Sequence, residues 1–218
     1  MSIKEDPGNG EANRDADQSS SHDLDRLIQF KIVYWGPGES GKTTNWRWLK
    51  NYPKFEHFSR GLTVETTDGR TLWKDSIVLN FSTEMMGHHY DFVVQLVTCT
   101  GQERFLSTRE FVLDGADGVV FVGDSQPDKM EQNKRSFREL ISFTKEKDVP
   151  CVVQLNKRDI PDKISVVDFK KKLGLPSVEH YEDGTIVVHE SVALKGTGVI
   201  ETFQDLFIAV IKNFFGVS

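Results

Sequence analysis

Residues Gly36 to Thr43 read G-P-G-E-S-G-K-T and fit the pattern G-x-x-x-x-G-K-[ST], which decides the fold of this 218-residue chain. Glycines let the backbone curl, so that successive N–H groups converge on phosphate oxygens. In this pattern Lys42 reaches the β- and γ-phosphates, and the Thr43 hydroxyl ligates Mg²⁺. The stretch therefore predicts a phosphate-binding loop (P-loop).

The residues on either side supply the structural context that this loop requires. Residues 29–35 are a short β-branched and aromatic run, which is typical of a strand, and residues 44–52 have a helical pattern. A helix that begins at the loop adds the positive end of its dipole to the anion site. We expect the loop and the first helical turn to bind phosphate through Gly36, Gly38, Glu39, Ser40, Gly41, Lys42, Thr43 and Thr44.

Most of the net charge lies at the N-terminus. The formal charge is −6, and residues 1–25 carry seven acidic and two basic side chains, so they contribute −5 and the rest −1. A nearly neutral domain lacks the basic field that a nucleic-acid-binding protein needs. We expect residues 1–23 to be a disordered acidic tail, either a solvated leader or a regulatory segment, and residues 24–218 to form one domain.

Cysteine content and targeting signals indicate the compartment. Two cysteines, Cys99 and Cys151, do not indicate a disulfide framework and favour a reducing cytosol. The sequence shows no transmembrane run, signal peptide, myristoylation pattern or C-terminal prenylation cysteine. We therefore expect a cytoplasmic protein without a transmembrane segment or lipid anchor motif, with peripheral association at a membrane or cell pole through partners as an alternative.

Strand and helix patterns alternate along the chain. Strands are predicted at 29–35, 77–81, 91–97, 118–124, 150–155 and 184–188, and helices at 44–52, 103–113, 129–147, 166–173 and 199–215. The last helix is predicted to turn Ile200, Phe203, Phe207 and Ile208 inward. This order predicts one α/β domain of the P-loop NTPase type, with an about six-stranded, mostly parallel sheet and helices on both faces. Residues 52–72 lack periodicity and indicate a functional loop.

A second motif, N-K-R-D at residues 156–159, follows the fifth predicted strand and points to guanine. Asp159 can accept hydrogen bonds from N1–H and the exocyclic amine of guanine. Adenine offers neither donor in that arrangement, so the carboxylate would be left unpaired at a cost. Asn156 would tie this loop to the P-loop, and the aliphatic stem of Lys157 would lie along the base.

A third motif, T-G-Q-E at residues 100–103, follows the third predicted strand. The N–H of Gly101 would approach the γ-phosphate, and Gln102 would orient a hydrolytic water. The common form of this motif begins with Asp, as D-x-x-G-Q, but Thr98 stands in that place here. Because threonine brings no charge, fewer charged groups would hold the metal.

From Phe30 to Phe215 the chain resembles small Ras-like GTPases, and most closely the bacterial and archaeal MglA-type branch. The stretches that carry this resemblance are K-I-V-Y-W-G-P-G-E-S-G-K-T-T-N at 31–45, R-T-L at 70–72, T-C-T-G-Q at 98–102, D-G-V-V-F-V-G-D-S-Q at 117–126 and N-K-R-D at 156–159. Thr98 is itself typical of that branch. The resemblance implies a Ras-like G domain that binds GTP and GDP with Mg²⁺ and hydrolyses GTP slowly without an activating partner. It also implies a Roadblock-type (MglB-like) activator and a role in polarity, motility or trafficking.

The resemblance implies roles for residues of the irregular loop. Thr71 matches the switch-I threonine that ligates Mg²⁺ and senses the γ-phosphate; Thr66 and Thr67 are alternatives if the register of the loop differs. Arg70 matches an arginine supplied in cis that stabilises charge on the γ-phosphate.

The base-side loop departs from the Ras-like pattern. Val192-Ala193-Leu194 falls in register with the usual Ser-Ala-Lys, whose backbone N–H contacts the guanine O6. A backbone contact survives a change of side chain, so Ala193 and Leu194 are expected at the guanine.

Two other functions remain open from the sequence. A nucleotide-binding regulatory module with little intrinsic hydrolysis is motivated by Thr98. An ATP-dependent kinase or transporter subunit would share the P-loop but would not explain N-K-R-D.

Overall fold

The computed structural model describes residues 27–58, 64–65, 71–73, 75–85, 87–99, 111–145, 147–175 and 187–217. Its strands are β1 (Leu27–Trp35), β2 (Glu56–Phe58), β3 (Val64–Glu65), β4 (Thr71–Trp73), β5 (Asp75–Met85), β6 (His88–Thr98), β7 (Gly118–Asp124), β8 (Cys151–Asn156) and β9 (Val188–Glu190). Its α-helices are α1 (Lys42–Lys50), α2 (Met130–Thr144), α3 (Val166–Leu173) and α4 (Val199–Phe215).

Seven strands form the main sheet, in the order β2-β5-β6-β1-β7-β8-β9. β1 runs parallel to β6 and β7, and β7, β8 and β9 continue the parallel arrangement. β5 is antiparallel to both β6 and β2. The predicted α/β fold with a mostly parallel sheet is confirmed, and the seventh strand is the short edge strand β2.

Helices cover both faces of the sheet. The side chains of β1 alternate between these faces and therefore contribute to two separate cores. Phe30, Ile32 and Tyr34 pack in the cluster that contains residues of α1 and α4. Val33 and Trp35 pack on the other face with residues of α2 and α3. β7 lies between these layers and is buried along its whole length, as its continuous apolar run predicts.

Four details differ from the sequence-based expectation. Residues 52–72 were predicted to be irregular, but their described part contains β2 and β3. β5 and β6 form a longer hairpin, paired from Asp75↔Thr98 to Met85↔His88. The last strand is Val188–Glu190, later than the predicted range 184–188. The inward orientation predicted for Ile208 is wrong: its side chain is 53% exposed, since it lies about 100° around the helix from Phe207.

Several sequence-based expectations fall outside the described residues. These are the disordered tail at 1–23, most of the helix at 103–113, and the side-chain roles of Arg70, Gly101, Gln102, Thr66 and Thr67. In the described part of the chain, no helix is both long and apolar enough to span a membrane. Both cysteines are free thiols.

Candidate nucleotide-binding site

The loops that carry the predicted binding residues meet at one edge of the sheet. β1, β7, β8 and β9 are parallel neighbours, so their carboxyl ends lie side by side. The P-loop follows β1, N-K-R-D follows β8, and a segment with a 3₁₀ turn at Ala193–Lys195 follows β9. In open α/β sheets this edge is the usual place for ligands.

The backbone of the P-loop takes conformations that its glycines make possible. Gly36 has φ 148° and Gly41 has φ 102°. A Cβ on Gly36 would lie 2.2 Å from the Val122 carbonyl oxygen, and one on Gly41 would lie 2.1 Å from Asn156 Nδ2. Glu39 is also left-handed, with φ 63°, although it is not glycine. The loop is therefore held against β7 and β8 in a curl that side chains would block.

Two side-chain nitrogens hold the carbonyl groups of the P-loop. The buried Lys42 ammonium donates to the carbonyl oxygens of Gly36 and Pro37, at 3.0 and 2.6 Å. Asn156 Nδ2 donates to the Ser40 carbonyl at 2.9 Å, which is the tie that the sequence predicted. Since C=O and the next N–H point in opposite directions across a planar trans peptide, the Gly41 N–H is turned away from Asn156. An anion-binding loop requires N–H groups held in this way.

The other predicted phosphate ligands lie around this curl. Gly38 is half-buried, Glu39 is exposed, and the Ser40 side chain is fully buried. Thr43 and Thr44 lie half-buried in the first turn of α1. Thr43 is thus next to Lys42, the arrangement that a P-loop uses to place a hydroxyl near bound Mg²⁺.

Asn156 joins the P-loop to the base-side loop. Its Oδ1 accepts from the Ala193 N–H at 2.9 Å and from Ser191 Oγ at 3.1 Å. One side chain, 4% exposed, therefore fixes both loops at once. Because the Ala193 N–H is used here, its expected contact with guanine O6 would have to be shared with Asn156. The neighbouring Leu194 side chain is 82% exposed at the rim.

Lys157 is held by an acidic partner that the sequence analysis did not identify. Its ammonium lies 2.6 Å from Asp124 Oδ2 and 3.1 Å from Gln126 Oε1, and its backbone has φ 65°. Asp124 is buried at the end of β7, where its N–H and C=O both bond to the Asn133 side chain at 2.9 Å. The contacts with Asp124 and Gln126 hold the Lys157 side chain towards the end of β7. The sequence signal that could have revealed Asp124 is a carboxylate at the end of an apolar strand.

Arg158, the variable residue of the N-K-R-D motif, is the second residue that was missed. Its guanidinium contacts Glu190 at 2.5 Å and donates to the Ile164 carbonyl at 2.7 Å. Its backbone N–H donates to the Ser191 carbonyl at 3.0 Å. These contacts fix the loop to β9, while the next residue, Asp159, is exposed at the site.

The γ-phosphate side of the site is described only in part. Gly101, Gln102 and Arg70 lie outside the described residues, and Thr71 is described only as the first residue of β4. Thr98 is buried at the end of β6, in register with Tyr34 of β1. Thr98 therefore lies one strand away from the start of the P-loop.

Comparison with known proteins identifies the family. The model of the ADP-ribosylation factor family matches residues 79–210. The chain is 35% identical over 184 residues to the mutual gliding-motility protein MglA of Myxococcus xanthus, covering 82% of this chain and 89% of that protein. It is 33% identical over 188 residues to ADP-ribosylation factor-like protein 6 of Caenorhabditis elegans, covering 83% and 86%. It is 27% identical over 194 residues to human ADP-ribosylation factor-like protein 4C, covering 88% and 93%.

These matches agree with the site, in which a phosphate loop and a guanine motif are joined through one asparagine. Small GTPases of this family bind and hydrolyse GTP. The chain belongs to the ADP-ribosylation factor family and is a small GTPase of the MglA type, a switch that hydrolyses GTP.

Proposed function

We propose that this GTPase binds GTP and GDP with Mg²⁺ at the edge formed by β1, β7, β8 and β9, and that hydrolysis changes its partner-binding loops. The observation that carries the proposal is the pair of ties made by Asn156, to the P-loop at Ser40 and to the base-side loop at Ala193. These two hydrogen bonds support a single site that binds both the phosphates and the guanine base.

Different residues are assigned to the phosphates and to the base of the nucleotide. We assign the phosphates to the N–H groups of the P-loop and of the first turn of α1, with Lys42 as the counter-charge. We assign the guanine edge to Asp159, which is exposed beside the anchored Arg158. The stem of Lys157 supports the face of the base, and Ala193 and Leu194 lie near O6.

Mg²⁺ fits the donor set, because it takes one or two protein oxygens together with phosphate oxygens and waters. Thr43 supplies one hydroxyl, and we propose that Thr71 supplies another, with Thr66 or Thr67 as alternatives. Among the described residues no group of three His, Cys, Asp or Glu is placed to hold a metal, and we propose that phosphate oxygens of the nucleotide complete the ligand set. When bound, the ion would neutralise charge on the β- and γ-phosphate oxygens.

For hydrolysis we propose that Gln102 orients the attacking water, and that Gly101 contacts the γ-phosphate through its N–H. The guanidinium of Arg70 would stabilise the charge that spreads over the transferring phosphoryl group. An arginine in this role changes the rate by about 10³–10⁵-fold. Turnover would be slow until a partner holds these loops in place.

We propose a Roadblock-type (MglB-like) protein as that activating partner, and regulation of polarity, motility or trafficking in the cytoplasm as the cellular role. The similarity to a mutual gliding-motility protein supports the proposed role in motility, and the proposed activator rests on the resemblance to the MglA-type branch.

Single-turnover GTP hydrolysis by purified protein, with and without a Roadblock-type protein, tests the catalytic assignment. We expect Gln102→Leu and Arg70→Ala to slow hydrolysis by at least about tenfold while GTP affinity changes little. Gln132→Leu, which changes an exposed glutamine of α2 in the same way, is the matched control and should leave the rate unchanged. Turnover that is the same in Gln102→Leu, Arg70→Ala and the unaltered protein would favour a binding module with little hydrolysis.

The base assignment has its own test. Asp159→Asn replaces an acceptor by an amide, which can donate to the xanthine O2, so we expect preference to move from GDP towards XDP. Asp162→Asn, an exposed carboxylate three residues further on, is the matched control and should leave the preference unchanged.

A further inference from the structure

Three polar side chains are fully buried beneath the P-loop. They are Asn45 of α1, Gln154 of β8 and Thr202 of α4. Buried amides and hydroxyls cost free energy unless they are hydrogen-bonded, and apolar side chains of the neighbouring core surround this position. The contacts that these three residues make therefore indicate what they hold in place.

The three side chains form one chain of hydrogen bonds, which we call the buried amide relay. Gln154 Nε2 donates to Asn45 Oδ1 at 2.9 Å and to Thr202 Oγ1 at 3.1 Å. Asn45 Nδ2 then donates to the Gly41 carbonyl at 3.0 Å. At the other end Thr202 Oγ1 donates to the Gly198 carbonyl at 2.5 Å.

At one end of the relay, the hydrogen bonds to the Gly41 carbonyl affect phosphate binding. The Gly41 carbonyl also accepts the Asn45 backbone N–H at 3.0 Å, so two donors of one residue fix its direction. The Gly41 C=O and the Lys42 N–H belong to one planar trans peptide, in which they point in opposite directions. A carbonyl held towards Asn45 therefore turns the Lys42 N–H towards the face of the loop where the phosphates are proposed to lie.

The end at Gly198 reaches the base-side loop. Gly198 precedes α4 and follows the segment that contains Ala193. The relay thus connects the start of α1, the strand that leads into Asn156, and the end of the base-side loop. None of its three residues is among those assigned to the phosphates or to the base.

Gln154 supplies the donor that holds the Asn45 side chain. Its Nε2 donates to the buried Asn45 Oδ1, and an apolar side chain in its place would leave that acceptor without this hydrogen bond. Gln154 therefore keeps Asn45 in the orientation in which its Nδ2 reaches the Gly41 carbonyl.

We infer that Asn45 and Gln154 are positioning residues that hold the Lys42 N–H towards the nucleotide phosphates and thereby slow nucleotide release. This inference rests on the proposed guanine-nucleotide site. Loss of the relay would leave the Gly41 carbonyl held by the Asn45 backbone N–H alone and so loosen the orientation of this peptide, without changing any group that contacts the base.

The test is the dissociation rate of fluorescently labelled GDP from four proteins: unaltered, Asn45→Leu, Asn45→Leu/Gln154→Leu and Val210→Ala. We expect release to be about tenfold faster in the first two variants, which corresponds to about 1.4 kcal/mol. The double variant should match the single one, because both residues act on the same carbonyl. Val210→Ala is the control for lost packing, since Val210 is buried near the other end of α4.

Two further readouts separate positioning from a structural role. The melting temperature of the nucleotide-free double variant should stay close to that of the unaltered protein, because removing both partners of a buried hydrogen bond is nearly neutral. Labelled IDP, which lacks the exocyclic amine, should be released faster by the same factor as GDP, because the contacts with the base are unchanged.

Release from Asn45→Leu within twofold of the unaltered protein, or no faster than from Val210→Ala, would overturn the inference while leaving the guanine site intact. A changed ratio of GDP to IDP release would also overturn it, by placing the effect at the base. Failure of the unaltered protein to bind GDP would overturn the proposed site and this inference together.

Discussion

Replacing Asn156 by alanine removes the side chain that joins the two halves of the site. Three hydrogen bonds disappear. Nδ2 no longer donates to the Ser40 carbonyl, and Oδ1 no longer accepts from Ser191 Oγ and the Ala193 N–H. Each hydrogen bond contributes about 1 kcal/mol net, so the free energy of unfolding should fall by about 3 kcal/mol. For a domain of this size that loss lowers the melting temperature by about 6–12 °C.

The assay is thermal unfolding of the nucleotide-free protein, with labelled-GDP release measured on the same samples. Ser191→Ala is a graded comparison, because it removes only one of the three bonds and should cost about 1 kcal/mol. Asn213→Ala is the matched control. Asn213 lies on an exposed part of α4, and its side-chain amide donates to the Asp148 carbonyl. We expect Asn213→Ala to leave GDP release unchanged and Asn156→Ala to speed it at least about tenfold.

If Asn156→Ala melted no lower than Ser191→Ala, the hydrogen bonds to Ser40 and Ala193 would add no stability. If Asn156→Ala released GDP at the rate of Asn213→Ala, those bonds would not shape the site. Either result would overturn the role given to Asn156.

Three other predictions concern packing, pH and the loop backbone. The Tyr34 hydroxyl is buried without a hydrogen-bond partner among the described residues, so Tyr34→Phe should be neutral or stabilise the fold by about 1 kcal/mol in urea titrations at pH 7. Burial raises the pKa of the Cys151 thiol from 9.0 to about 12, so above pH 9 the unfolded chain loses this proton before the folded chain does. The free energy of unfolding should then fall by up to about 1.4 kcal/mol per pH unit. Cys151→Ala should make this decline less steep. Gly41→Ala should abolish measurable GDP binding, whereas Gly216→Ala, also at positive φ but with nothing within 4 Å of its Cβ, should cost about 1 kcal/mol and bind GDP normally.

Local signals in the sequence predicted much of the fold. The range of α3 matches because Ser165 accepts from the Asp168 N–H at its start and Gly174 is left-handed at its end. The range of α4 matches as well, with Gly216 left-handed at its end. The residues that begin and end these helices act within one turn, so a linear pattern can reveal them.

Other features depend on contacts that a linear pattern does not show. The extension of β5 and β6 is largely polar and follows from hairpin pairing rather than from burial. The hydrogen bond from Gln154 to Asn45 joins residues 109 positions apart. The partner of Lys157, Asp124, lies on a neighbouring strand, and only the sheet order brings them together.

The phosphate loop and the guanine motif stand out in the sequence for a different reason, and their roles in binding stay predictions. Each is a short stretch whose residue types have a physical role, and the parallel sheet brings both to one edge. The contacts of Arg158 were not predictable, because an arginine would also be acceptable on a solvated surface. For Asp124 the sequence signal was its position at the end of an apolar strand, which does not name Lys157 as its partner.

We propose that one site binds both the phosphates and the guanine base of the nucleotide. The most direct test is the dissociation constant of GDP beside that of ADP, measured on the purified chain with Mg²⁺ by isothermal titration calorimetry. Because Asp159 accepts from donors that adenine lacks, we predict that GDP binds at least about a thousandfold more tightly than ADP. Equal affinities, or tighter binding of ADP, would show that the site does not select guanine.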